Sequence, residues 1–320
     1  MGEGPVRFSE IGYLAGVYAT DWSWAPLFAD LDNDGYKDLF ITTGIYRRPN
    51  DLDYLAYVAN PTVQASLRQG MGGLVRTLIR KMPQVPSPNY AYRNNGDLTF
   101  TNEARAWGLG EPGFSNGAAY VDLNNSGALD LVVNRLDAPA VIYRNRAREL
   151  TGNHYLQVVL RGSGANTAGI GAKVIVKGGD RTQLLEQMPT RGFQSSVDPR
   201  LHFGLGSSTK IDSLTVIWPD RRSQVLTGVA VDRALTLSQR DAVGARAGTA
   251  APAAQRAPAV AAAPALAPTP GLFTDVTARV GIEFKHHENA FYDFHREPLI
   301  PHLLSAEGPA LAVGDVDGDG

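Results

Sequence analysis

The sequence predicts an all-β protein: a partial β-propeller and a β-sandwich-like domain, with one short helical insertion. Three observations predict it. A unit made of an apolar run, an acidic loop and a second apolar run occurs twice in full and begins a third time. A later stretch lacks that unit and carries seven short β-rich runs instead. The 34 Gly and 20 Pro in 320 residues favour many strands and turns over long helices.

The repeat has two parts at fixed spacing. Asp30-Leu-Asp32-Asn-Asp34-Gly35-Tyr-Lys-Asp38-Leu39 recurs as Asp122-Leu-Asn124-Asn-Ser126-Gly127-Ala-Leu-Asp130-Leu131 and starts again at Asp315. Ahead of each copy stands Phe8-Ser-Glu, Phe100-Thr-Asn or Phe273-Thr-Asp, followed eight residues later by Gly16, Gly108 or Gly281. The distance from the Phe to the first Asp is 22 residues in both complete copies and 42 in the third. Repeated β-units of this kind close radially into propellers. Residues 1–150 are therefore read as blades. Within them, residues 51–82 form a helical insertion, because Leu52, Leu55, Val58, Val63, Leu67, Leu74 and Leu78 keep helical spacing broken at Pro61 and Gly72-Gly73.

Residues 151–240 are read as a separate β domain, with strands near His154–Leu160, Ala172–Lys177, Thr182–Met188, Leu201–Gly204, Ser213–Trp218, Ser223–Thr227 and Arg233–Ser238. Residues 241–270, dominated by Ala and Pro, read as a linker. Residues 271–320 read as the start of a further blade, truncated in mid-loop at Gly320, so that the chain is expected to be a piece of a longer protein.

The acidic loop is the sharpest chemical signal. Asp30, Asp32, Asp34 and Asp38 occupy positions 1, 3, 5 and 9, with Gly35 at position 6 permitting a tight turn. Converging carboxylates repel unless a cation lies between them. Hard oxygen donors in that number suit Ca²⁺, with the Tyr36 carbonyl as the position-7 ligand. A strand rather than a helix with a glutamate follows, so the loop is not an EF-hand. In the second loop Asn124 and Ser126 replace two carboxylates, leaving Asp122 and Asp130; it is either a weak site or a metal-free relic. The third contains Asp315, Asp317 and Asp319 and is incomplete.

These strand–loop–strand units resemble the FG-GAP/VCBS repeats of integrin-like β-propellers. The region 153–238 resembles the ASPIC/UnbV domain, on Gly162, Asn166, Gly169-Ile-Gly171-Ala-Lys-Val174, Ser195, Leu201-His-Phe-Gly-Leu-Gly206 and Val216-Ile-Trp-Pro219. The combination is similar to bacterial relatives of cartilage acidic protein, with Thr167 where that family usually has a basic residue. The resemblance implies an extracytoplasmic, calcium-stabilised, non-enzymatic module binding a protein or carbohydrate ligand at a cell surface, and it supplies no catalytic residues.

Composition narrows the alternatives. A net charge of −2, from 30 basic and 32 acidic residues, argues against a nucleic-acid partner. Absence of cysteine removes disulfides, thiolate metal sites and thiol catalysis. The apolar run near Ala257–Ala267 is broken by prolines and is not a membrane span, and no signal peptide is visible at Met1–Phe8. The rival reading is a secreted propeller enzyme of hydrolase type, seated near the His-rich segment 286–302 with His286, His287, His295 and His302. Trp22 and Trp24 read as propeller core or rim rather than a sugar platform. Gly204 to Lys210 imitates a phosphate loop, but a strand follows where the anion-binding helix is required.

Overall fold

A computed structural model describes residues 8–69, 72–244, 271–282, 284–286 and 311–313. It is mostly β, 42% strand against 15% helix, in several antiparallel sheets, and no closed propeller is detected. Among the described residues no helix is long and apolar enough to cross a membrane.

After a helical turn, α1 (Gly12–Ala15), two strands flank the first acidic loop: β1 (Ser23–Ala29) and β2 (Asp38–Thr43). Three helices follow, α2 (Leu52–Ala59), α3 (Pro61–Arg68) and α4 (Gly72–Lys81). Their joints lie where the sequence places them. Asn60 ends α2 and caps α3 through its side chain, and Pro61 occupies the first turn, where its missing N–H costs nothing. β3 (Ser87–Pro88), β4 (Tyr90–Asn94) and β5 (Phe100–Asn102) come next, and β1, β2, β4 and β5 make one antiparallel sheet in that order. The helices are thus an excursion between its second and third strands.

The second sheet repeats the plan. β6 (Pro112–Gly113) pairs with β3, and β7 (Ser115–Val121), β8 (Asp130–Arg135) and β9 (Val141–Asn145) are its first three strands. Its fourth strand is Phe273–Asp275, antiparallel to β9. This segment, expected to open a further blade, instead closes the second sheet, as Phe100–Asn102 closes the first. The reason is packing: Phe273 is buried, its ring 6.4 Å from that of Trp107, inside the core shared by both sheets. The Gly that recurs eight residues after each Phe ends a short turn in left-handed backbone, with φ of 76° at Gly16, 82° at Gly108 and 71° at Gly281.

Between β9 and that closing strand stand α5 (Ala147–Leu150) and the β domain: β10 (His154–Arg161), β11 (Lys173–Gly178), β12 (Arg181–Glu186), β13 (Ser195–Ser196), β14 (Leu201–Gly206), β15 (Lys210–Ile217), β16 (Ser223–Ala230) and β17 (Arg233–Ser238). Seven of these eight coincide with the seven strands expected. They form a three-stranded sheet, β14-β10-β17, facing a four-stranded one, β12-β11-β15-β16. Alternation explains the shared core. Leu156, Val158 and Leu160 of one sheet meet Val174, Val176, Leu214 and Val216 of the other, with Phe203 and Trp218 fully buried. One pairing is not antiparallel: β17 runs parallel to β10.

Small residues then let the two units interlock. β1 and β7 lie side by side and present Ala25 and Ala118, against which the loop around Gly192 closes. The Phe193 ring of that loop lies tilted against Trp24, 4.9 Å between ring centres, and Val197 joins the sheet core. Trp24 thus serves packing, and its indole N–H donates to the Gly44 carbonyl at 2.7 Å. Beyond β18 (Phe273–Asp275) and α6 (Thr277–Val280), β19 (Leu311–Ala312) pairs with β13 and lies beside β7, the position β7 takes beside β1. Residues 245–270 of the stretch read as a linker, the histidines from 287 to 302, and Asp315, Asp317 and Asp319 lie outside the described residues, whereas Val243, also read as linker, pairs with Ser223 of the β domain.

Candidate metal centre

The loop between β1 and β2 turns back on itself through Asn33 and Gly35, whose φ values are 60° and 93°. This curl brings together Asp30, Asp32 and Asp38, one carboxylate oxygen from each lying within 4.8 Å of the others. Backbone amides hold the carboxylates in place. Asp30 Oδ2 accepts from Gly35 N–H at 2.8 Å, while Asp38 accepts from Leu31 N–H at 2.9 Å and from Asn94 N–H at 3.0 Å. Asp34 lies outside the group of three, its Oδ1 accepting the Tyr36 N–H at 2.8 Å. The Tyr36 ring lies under the Arg181 guanidinium, 4.2 Å from its carbon.

The electrostatics show what the loop lacks. Burial, then the neighbouring carboxylates, push Asp30 and Asp38 well above the ordinary carboxylate range, and burial with Asp34 beside it raises Asp32 to about 7. Asp30 Oδ1 is buried and accepts no hydrogen bond. An orphaned oxygen among mutually repelling carboxylates fits a cation, and this buried Asp group could hold a metal ion.

These shifts carry a sign. A buried carboxylate whose folded pKa exceeds its unfolded value favours the folded state at low pH and loses that advantage as pH rises through the folded value. For Asp32 the window runs from its ordinary 3.8 to about 7. Without metal, the melting temperature is therefore expected to be higher at about pH 5 than at about pH 8, with saturating calcium narrowing the gap. Thermal melts in EDTA and in calcium at the two pH values check this; equal gaps would contradict it.

The second loop has the same skeleton and a different solution. Gly127 N–H donates to Asp122 Oδ2 at 2.8 Å, Leu123 N–H to Asp130 at 3.1 Å and Asn145 N–H to Asp130 at 2.7 Å, matching the bonds of the first loop one for one. Here Ser126 N–H donates to Asp122 Oδ1 at 2.9 Å, so the oxygen corresponding to the orphan is satisfied. The Gln157 amide of β10 donates to Asp122 Oδ2 at 2.8 Å. Asn124 accepts from the same Ser126 N–H at 3.2 Å. Asp130 is raised to about 6, chiefly by burial. Among the described residues, only the first loop gathers three potential metal ligands.

Both loops are covered by strand β14 and its neighbours. Asn33 is the pivot: its Nδ2 donates to the Gly127 carbonyl at 2.8 Å, its Oδ1 accepts from His202 Nε2 at 2.7 Å, and its carbonyl accepts from Gly206 N–H at 2.8 Å. His202 is buried and neutral, its pKa pushed down to about 3 by burial and by Lys37 and Arg200. Gly204 leaves space for Asp30; a Cβ there would lie 2.0 Å from Asp30 Oδ2. Asn153 Nδ2 donates to the Asp32 carbonyl at 2.9 Å, and Arg181 donates to the Asp34 carbonyl. Arg200 reaches the second loop at the Asp122 carbonyl, 2.8 Å away, and at Asn125.

Sequence reasoning named the carboxylates and missed Asn33, Gln157, His202 and Gly204 as parts of the site. It also missed a third repeated element: Tyr92-Arg93-Asn94 and Tyr143-Arg144-Asn145, whose Asn N–H groups bind the last Asp of each loop. That element was readable in the letters but hidden by spacing, because Asn94 lies 56 residues after Asp38 and Asn145 only 15 after Asp130.

A comparison with curated proteins finds no match to this chain. A family profile described as ASPIC and UnbV matches residues 162–246. That stretch holds β11 to β17, the loop that packs between β1 and β7, and the strand β14 that covers the first acidic loop, so the element seated on the candidate metal centre is an ASPIC/UnbV domain.

Proposed function

We propose that this chain is a calcium-stabilised, non-enzymatic binding module of an extracytoplasmic protein. Its two four-stranded sheets are FG-GAP/VCBS-type blades, with the ASPIC/UnbV domain inserted before the last strand of the second. The observation that carries the reading is the cluster of the Asp30, Asp32 and Asp38 carboxylates beneath that domain, in which Asp30 Oδ1 is buried and accepts no hydrogen bond. Asp34 and the Tyr36 carbonyl complete the oxygen set around Ca²⁺. The second loop, its Asp122 and Asp130 already satisfied by hydrogen bonds, is a metal-free relic. Calcium at this depth plays a structural part. It cancels the repulsion in the loop and fixes Asn33, and through Asn33 the seat of the ASPIC/UnbV domain.

A cation that fixes a domain junction positions a surface for a partner, here a protein or carbohydrate at a cell surface. The partnership is tested by screening the calcium-loaded protein against glycan and extracellular-protein arrays, with EDTA as the control. Calcium-dependent binding without turnover is the expected outcome. Metal-dependent hydrolysis of a bound glycan or ester would overturn the non-enzymatic reading.

A further inference from the structure

Helices α2 to α4 are an excursion that the repeated sheet does not require. In the second sheet residues 136–140 alone join β8 to β9, whereas in the first residues 44–89 join β2 to β4. Helices this short persist in water only where packing supports them. Here that support is thin. No side chain of α2 or α3 is buried, and among the described side chains of α4 only Leu78 is. Leu52 is 81% exposed, and Leu55 and Ile79 are each 46% exposed.

Helical geometry sorts what is exposed. At about 100° per residue, Leu52, Leu55, Ala56 and Ala59 share one side of α2, and all are exposed, while Tyr54 and Val58 on the opposite side are half-buried. Arg76, Ile79 and Arg80 share the side of α4 opposite the buried Leu78, and they too are exposed. Arg68 lies exposed in the last turn of α3. Contacts tie the end of α4 to α2 and to the segment before it. Lys81 Nζ lies 4.8 Å from the centre of the Tyr57 ring, and Arg47 donates to the Arg80 carbonyl at 3.2 Å.

The charge of the excursion is one-sided. Residues 44–89 carry Arg47, Arg48, Arg68, Arg76, Arg80 and Lys81 against Asp51 and Asp53, in a chain whose net charge is −2. Arg48 is paired with Asp21 at 2.6 Å, and among the described residues the other cations pair with no carboxylate. The Asp51 carboxylate caps α2, accepting the Tyr54 N–H at 3.0 Å. An apolar stripe standing out beside uncompensated cations complements an anionic bilayer: the leucines enter the acyl boundary and the cations meet lipid phosphates. A second copy docked through the same face would set like charges against each other. A peptide-binding groove would need side chains that line a hollow, not one as far out as Leu52. We propose that α2 to α4 form a docking lobe for an anionic phospholipid surface, with Leu52 and Leu55 inserted and Arg68, Arg76, Arg80 and Lys81 on the phosphates. The lobe leaves β2 at the end opposite the first acidic loop, so this surface is separate from the metal centre and goes beyond the function proposed above.

The test is co-sedimentation of the intact protein with unilamellar vesicles of phosphatidylcholine alone or with about 30% phosphatidylglycerol, in about 0.1 M salt. Binding to the phosphatidylglycerol vesicles only is expected, weakening in about 0.5 M salt. Arg76→Gln with Arg80→Gln, and separately Leu52→Ser with Leu55→Ser, are each expected to lower the partition coefficient roughly tenfold. These side chains are exposed, so both variants should melt as wild type does; if either does not, the single variants Arg80→Gln and Leu52→Ser replace it. No binding to anionic vesicles, equal binding to both compositions, or wild-type binding by either double variant would overturn the proposal. A concentration-dependent dimer abolished by Leu52→Ser with Leu55→Ser would overturn it as well, giving the face to a second copy. None of these outcomes bears on calcium binding, so failure here leaves the metal centre standing.

Discussion

Gly204→Val is expected to unseat the ASPIC/UnbV domain from the first acidic loop and to destabilise the protein by about 3 kcal/mol or more, at or beyond the upper end of ordinary overpacking. A Cβ at this position would lie 2.0 Å from Asp30 Oδ2, 2.6 Å from Asp30 Cγ and 2.7 Å from Asn33 Cα. None of these can move cheaply. Asp30 is pinned by the Gly35 N–H, and Asn33 bonds Gly127, His202 and Gly206 at once. Gly204 cannot retreat either, being paired with Tyr155 in the sheet and accepting from Gln183 Nε2 at 2.6 Å. Gly204→Ala should show the same defect in smaller measure. Gly244→Ala is the control, since nothing lies within 4 Å of a Cβ there. Urea unfolding decides the matter: a Gly204→Val protein within about 0.5 kcal/mol of wild type would mean that the docked junction is not as described.

Asp32→Ala should destabilise the protein only in calcium. At a roughly hundredfold excess of calcium over its dissociation constant, a site present only in the folded state adds about 2.7 kcal/mol, and removing a central ligand should forfeit most of it. In EDTA the sign changes. The variant has one repelling buried carboxylate fewer and should be at least as stable as wild type. Asp122→Ala should behave oppositely. Its carboxylate accepts the buried Gly127 N–H and Gln157 amide, so its loss should cost roughly 1–3 kcal/mol with or without calcium. Paired melts of the two variants in calcium and EDTA separate a metal ligand from a hydrogen-bonded relic. If both respond identically to calcium, the distinction between the loops fails.

How much was legible depended on how local each signal is. Asp30 and Asp32 could be read because neighbouring alternate positions of one tight turn converge, whereas Asp34, the next alternate position, turns to the Tyr36 N–H and stays outside the group. The strands of the β domain could be read because Leu156, Val158 and Leu160 alternate against Tyr155, Gln157 and Val159, which only a two-faced strand requires. The Phe-Thr-Asx element was found as a repeat but assigned to the wrong neighbour. A three-residue strand does not encode its partner, and burial of Phe273 against Trp107 fixes it across the inserted domain. The seat of that domain was invisible for the same reason. Asn33 and His202 are 169 residues apart, and neither has an unusual neighbourhood in the sequence. Gln157 sits in a strand with ordinary alternation, and only the docked structure shows it bonded to Asp122.

Calcium titration of the intact protein tests the central claim most directly, namely that the first acidic loop holds one structural cation and the second holds none. Calorimetry is expected to show a single site per chain with a dissociation constant of about 10⁻⁴–10⁻³ M, absent in Asp32→Ala and retained in a folded Asp122→Ala. No calcium heat at all, or two equivalent sites per chain, would contradict it.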